Sequence, residues 1–151
     1  MWYVQYADVP ACLINVGLAV LALILYVLGS YRLYRGKPGF IIILGSAIVI
    51  DIATAILASF KITPTMSLPG VATIPWYSWL FRTHVMLSTI GFAGFIALFI
   101  YLLVRAPQNY SPWIRRWQFQ LLLPVWVIGE GIALSNALTK ILFRLRLFEL
   151  L

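Results

Sequence analysis

The stretch "VPACLINVGLAVLALILYVLGSY", Val9 to Tyr31, contains no charged residue. At about 1.5 Å of rise per residue, a helix over this run can cross a hydrocarbon core of about 30 Å. It ends in "YRLYRGKPG", where Arg32, Arg35 and Lys37 are followed by Pro38 and Gly39. An uncharged run closed by a basic cluster reads as a membrane span meeting lipid head groups, and it decides how the rest of the chain is read.

The pattern recurs. Phe40 to Phe60 forms a second span, interrupted only by Asp51. "KITPTMSLPGVATIPWYSW" reads as a loop by its Pro and Gly content, with Trp76, Tyr77 and Trp79 suited to the membrane interface. A third span runs from about Leu80 to Val104, and "RAPQNYSPWIRR" is the next loop. Trp117 to Thr139 makes the fourth, with Glu130 near its middle. A basic tail, residues 140–151, ends the chain. The expected fold is all-α: one integral-membrane four-helix bundle with short loops, without a separate soluble domain.

Composition agrees. The chain of 151 residues is 63% hydrophobic and 10% charged, against about 25% charged for ordinary globular proteins. The net charge of +7 therefore does not read as a nucleic-acid footprint. The bilayer is the expected partner, and a bacterial or archaeal plasma membrane the expected location. Basic residues concentrate after spans one and three: Arg32, Arg35, Lys37, Arg105, Arg115 and Arg116. The positive-inside rule then places both termini outside, although Lys140, Arg144 and Arg146 of the tail oppose it.

A single cysteine, Cys12, excludes an intrachain disulfide and a multi-cysteine metal site. It reads as a small apolar packer. No cleavable signal pattern is expected at the N-terminus. The "NYS" at Asn109–Ser111 is followed by Pro112 and reads as chance.

Helices in lipid associate through close packing of small residues and through hydrogen bonds. Span two places Ala47, Asp51, Ala55 and Ser59 on one i, i+4 face. Span four does the same with Gly129, Ala133 and Ala137, and span three offers Gly91, Gly94 and Ala97. These faces are expected to point at one another. Pro124 should kink span four by releasing the carbonyl of Gln120.

A carboxylate at mid-bilayer costs about 2.5–3.5 kcal/mol, so Asp51 and Glu130 need partners, protons or water. Ser88 lies near their depth. His84, Asn15 and Asn136 lie further toward the outer face. Such a set of polar groups is either hydrogen-bonded glue between helices or a site for a proton, a quinone head or a cofactor. His84 is the only histidine, so two-histidine haem ligation and a multi-histidine zinc or copper site are outside this chain's means. No protein-bound metal and no cofactor is expected on the leading reading. Haem or quinone near His84, with water, a Met or a partner chain as the other ligand, is the alternative. No nucleophile–base pair or phosphate-binding loop is readable, and catalysis by this chain alone is not expected.

The arrangement resembles a small four-helix membrane protein family whose members are often linked to haem–copper terminal oxidases and their maturation. The resemblance rests on a first span ending in "YRLYRGK", a Pro/Gly-rich outer loop, a third span opening "THVMLSTIGF", and the basic "WIRRWQF" leading into span four. It covers most of the chain as a pattern. Family members also carry histidines in the two basic loops. This chain has none there, so no ligand role is carried over to those loops. The chain is nearly all membrane, and its small-residue and aromatic faces suit other integral-membrane subunits as partners.

The expected function is thus a non-catalytic small subunit or assembly factor of a larger, respiratory-type membrane redox complex. The alternative is a four-helix redox or proton-transfer protein holding one haem or quinone near His84, Asp51 and Glu130. A small transporter ranks lowest, because matched discontinuous helices are not readable.

Overall fold

The structure is a computed structural model, and it describes residues 9–59, 75–105 and 110–143. Helix α1 is Val9–Tyr34, α2 Phe40–Ser59, α3 Pro75–Val104, α4 Pro112–Trp117 and α5 Leu123–Phe143. A π-helical turn, Gln118–Leu122, joins α4 to α5, so these three form one continuous fourth span. Among the described residues four helices are long and apolar enough to cross a membrane. The chain is an all-α, multi-pass membrane four-helix bundle.

Several ends differ from the sequence reading. α1 continues through Arg32 to Tyr34, because the arginines extend into the interface without breaking the helix. α3 begins at Pro75, inside the stretch read as loop. Proline is at home in a first helical turn, where its missing N–H would have no partner. The fourth span likewise opens at Pro112, ahead of Trp117. The tail is helical to Phe143, and its remainder lies outside the described residues, as do residues 60–74.

The α1–α2 turn is fixed by backbone hydrogen bonds. Lys37 N–H donates to Arg32 O at 2.8 Å and Gly36 N–H to Leu33 O at 3.1 Å. This is a Schellman closure, with Gly36 at φ 65° as the left-handed residue. Gly39, at φ 84°, starts α2. So short a turn forces α1 and α2 to run antiparallel.

α1 packs most extensively on α2, and α3 on α5; α1 against α5 joins the two pairs, and α2 touches α3 more sparsely. The core draws on all four spans, with Leu44 and Ala47 of α2 buried alongside Tyr26, Phe95 and Trp126. Tyr26 meets Phe95 and Trp126 at ring-centroid distances of 4.4 and 4.3 Å, all three being fully buried. Tyr110 reaches back from the α3–α4 connection, its hydroxyl donating to Leu102 O at 2.6 Å.

The irregularity expected at Pro124 takes the form of the π turn just before it. Leu123 N–H bonds to Gln118 O, one residue further back than in an α-helix. The turn widens ahead of a proline that cannot donate.

The small-residue faces hold near the bundle's middle and drift away from it. Ala47 is fully buried, Asp51 half-buried and Ala55 exposed. Four residues turn a helix by about 400°, so each i, i+4 step drifts by about 40°. On α3, Gly91 is buried, Gly94 half-buried and Ala97 exposed, because i, i+3 steps drift by about 60° the other way. Ala55 and Ala97 therefore do not sit in the bundle interior, contrary to expectation. Gly129 is buried, with Ala133 and Ala137 half-buried. The side chain of Ser59 lies outside the described residues.

Candidate functional site

The α3–α5 seam is built on glycines. A methyl group added at Gly91 would lie 2.5 Å from Trp126 Cβ and 2.8 Å from Trp126 Cα. One added at Gly129 would lie 2.7 Å from both the backbone nitrogen and the Oγ of Ser88. A methyl group at Gly94 would collide with Leu122. Backbone thus meets backbone across this seam, and the carbonyl of Gly129 is brought within reach of α3.

His84 uses that carbonyl. Its Nδ1 lies 2.8 Å from Gly129 O, with Ser88 Oγ 3.2 Å away. A carbonyl oxygen can only accept, so Nδ1 carries the proton, and in the neutral ring Nε2 is left with its lone pair. Among the described residues nothing bonds Nε2. The ring is half-buried.

Asp51 forms a second set, one level deeper. Its Oδ2 accepts from Tyr26 Oη at 3.2 Å and from Trp126 Nε1 at 3.3 Å. The carboxyl therefore draws together α1, α2 and α5 through one oxygen. Glu130, half-buried one helical turn beyond Trp126, is close enough to interact electrostatically with Asp51 and Tyr26.

The expected polar cluster is thus divided. Asp51 and Glu130 share the mid-bundle set, while His84 bonds the Gly129 carbonyl with Ser88 beside its Nδ1. Asn15 and Asn136 are each about ten residues, roughly 15 Å of helix, from the Tyr26–Trp126 level, which sets them apart from the mid-bundle set. Asn15 is half-buried and Asn136 buried.

A third polar set was missed by the sequence reading. Gln118 is fully buried in the π turn, and its Nε2 donates to Ser30 O at 2.9 Å and Arg115 O at 3.2 Å. Tyr26 and Trp126, the partners of Asp51, were missed as well. The i, i+4 pairing of Tyr26 and Ser30 on α1 was the available signal. Among the described residues no group of three or more His, Cys, Asp or Glu side chains is arranged to hold a metal.

A groove opens where α2 and α3 part, lined by Ile41, Gly45, Ser46, Val49 and Phe99 among others. Gly45 lets Phe99 approach α2 closely, within 3.0 Å of the position a Cβ would take. Ser46 is exposed in the groove.

Comparison of the chain with protein-family models, with curated protein sequences and with solved structures gave no match.

Proposed function

We propose that this chain is a non-catalytic integral-membrane subunit or accessory factor of a larger membrane redox complex, seated against a partner helix along the α2–α3 groove. The observation that carries the reading is the uneven closure of the bundle. Three of its seams are closely packed, whereas α2 touches α3 more sparsely, with Phe99 over Gly45, and leaves a shallow groove in which Ser46 is exposed. Small residues on a membrane helix let a second backbone approach, and a lipid chain has no need of them. The redox character of the complex follows the sequence resemblance described above.

Native electrophoresis of the tagged full chain, extracted mildly from its own membrane, tests this. The wild type is expected at a mass well above that of the chain in its micelle. Ser46→Phe, which fills the groove without entering the core, is expected to migrate as the chain alone. Wild type and variant both migrating alone would contradict the reading.

A second reading is favoured by His84. Histidines that bind haem or metal commonly donate one ring N–H to a backbone carbonyl, which orients the ring and presents the other nitrogen. His84 has that arrangement with Gly129 O. Its Nε2 suits a single haem ligand bond or a hydrogen bond to a quinone oxygen. A haem would need its other axial ligand from elsewhere, because Met86 is exposed on a different face of α3. A visible absorption spectrum of the purified protein separates the two readings: a Soret band favours the second, and its absence from intact, assembled protein favours the first or a quinone.

A further inference from the structure

Arg115 and Arg32 come from different helices and lie against the same turn. Arg115 Nη1 lies 2.9 Å from where a Cβ at Gly36 would be, and Arg32 Nη1 lies 3.2 Å from the corresponding point at Gly39. The two glycines therefore supply left-handed backbone and the space for two guanidinium groups. Arg32 Nη1 also donates to Pro38 O at 3.1 Å, which holds it on the turn. Lys37 is exposed between the glycines.

These cations lack an answering carboxylate among the described residues. Asp51 lies eleven residues into α2, about 16 Å up the helix, and Glu130 is farther still along the fourth span. Gathering like charges on one turn is unfavourable unless an anion joins them. The site also holds unused hydrogen-bonding capacity. Arg115 Nε, Ser30 Oγ and Gln118 Oε1 are buried without partners, and Ser30 and Gln118 are fully buried. Gln118 links these residues, donating to Ser30 O and Arg115 O.

Depth identifies the anion. The same end of the bundle carries stacked aromatics, Tyr34 on Phe119 at 4.9 Å and Trp113 on Trp117 at 6.1 Å, with Trp113 68% exposed. Such rings mark the head-group layer. The anion available there is a lipid phosphate, and exposed apolar side chains on α1 and the π turn, such as Val27 and Leu121, continue the path for its acyl chains.

We infer that the α1–α2 turn and Arg115 form a specific seat for the phosphate of an anionic phospholipid. The phosphate sits between the Arg32 and Arg115 guanidiniums, where charge-assisted hydrogen bonds to both satisfy its oxygens. A choline head group is disfavoured because its own positive charge would face three cations.

The test is native mass spectrometry of the full chain in detergent with equimolar phosphatidylglycerol and phosphatidylcholine. The wild type is expected to retain phosphatidylglycerol preferentially. Arg115→Gln and Arg32→Gln should each lower that preference about fivefold, the effect of removing one cation from an anionic surface. Arg105→Gln, which removes an exposed basic residue at the end of α3 that has no recorded contact with the turn, should preserve it. If Arg115→Gln does not fold, Arg32→Gln carries the test alone. Equal retention of the two lipids by the wild type would overturn the proposal. So would an equal loss in Arg105→Gln and the turn variants, since that would indicate a diffuse basic surface. Inorganic phosphate displacing the bound lipid at comparable concentration would overturn the assignment to a lipid.

Discussion

Nδ1 of His84 lies 2.8 Å from the carbonyl oxygen of Gly129, joining α3 to α5 where glycine brings the backbones together. The bond fixes which ring nitrogen is protonated, and it separates two roles that a histidine usually combines. Asparagine can place its amide nitrogen near the position of Nδ1 and has nothing in place of Nε2. His84→Asn is therefore expected to fold and assemble like the wild type, whereas His84→Leu should weaken the α3–α5 contact by about 1 kcal/mol. If His84→Asn assembles normally yet loses a visible absorption band or quinone-linked activity, Nε2 is a ligand and the subunit reading fails.

The glycines give a sharper contrast. Gly91→Ala and Gly129→Ala push a methyl group into Trp126 and into the Ser88 backbone, neither of which can turn aside. Each should destabilise the protein by about 1–3 kcal/mol. Gly131 has open space around it among the described residues, so Gly131→Ala should be neutral or stabilise by up to about 1 kcal/mol through helix propensity. Thermal unfolding in one detergent ranks the three. Equal effects would mean that the α3–α5 seam is not the close contact described.

Asp51 serves as an acceptor for two donors. Asp51→Asn keeps a carbonyl oxygen for Tyr26 and Trp126 and avoids the cost of a charge in the bundle, so it should retain near-wild-type stability. Asp51→Leu leaves the phenol and the indole N–H unpaired, at about 1–3 kcal/mol for each orphaned group. Trp126 fluorescence should report the loss through a changed emission maximum. Near-equal stability of the Asn and Leu variants would show that these bonds contribute little.

Gln118 faces two carbonyls, those of Ser30 and Arg115. Gln118→Leu removes one donor from oxygens that already lie in helical segments, and should cost about 1 kcal/mol. Gln118→Glu sets carboxylate oxygens against the same carbonyls in a buried position, and should be clearly worse than Gln118→Leu at neutral pH. Unfolding of the two variants side by side decides it, and a better-tolerated Glu would contradict the assigned geometry.

The spans were legible because an uncharged run of membrane length rarely arises outside a bilayer-spanning helix. Asp51 and Glu130 were legible as groups too costly to be idle. Their partners were harder to find. Tyr26 sits in a featureless apolar run, and a phenol there changes neither hydropathy nor period. Trp126 looks like any large apolar residue until its indole N–H is placed against a carboxyl. Gln118 follows a basic loop and precedes a proline, where a buried π turn leaves no periodic trace. The start of α3 at Pro75 was obscured because Pro- and Gly-rich sequence reads as loop, although proline is tolerated in a first helical turn. The glycine contacts at Gly91 and Gly129 were visible as small residues on a face, but how far each face drifts depended on which helices paired.

On the proposed function, a partner helix occupies the groove between α2 and α3. It is tested most directly by a photoreactive amino acid placed at Ser46, with a control at Ile24, which is 55% exposed on α1. After illumination in the protein's own membrane, a discrete polypeptide adduct is expected from position 46 and only lipid adducts from position 24. Lipid adducts alone from both positions would contradict it.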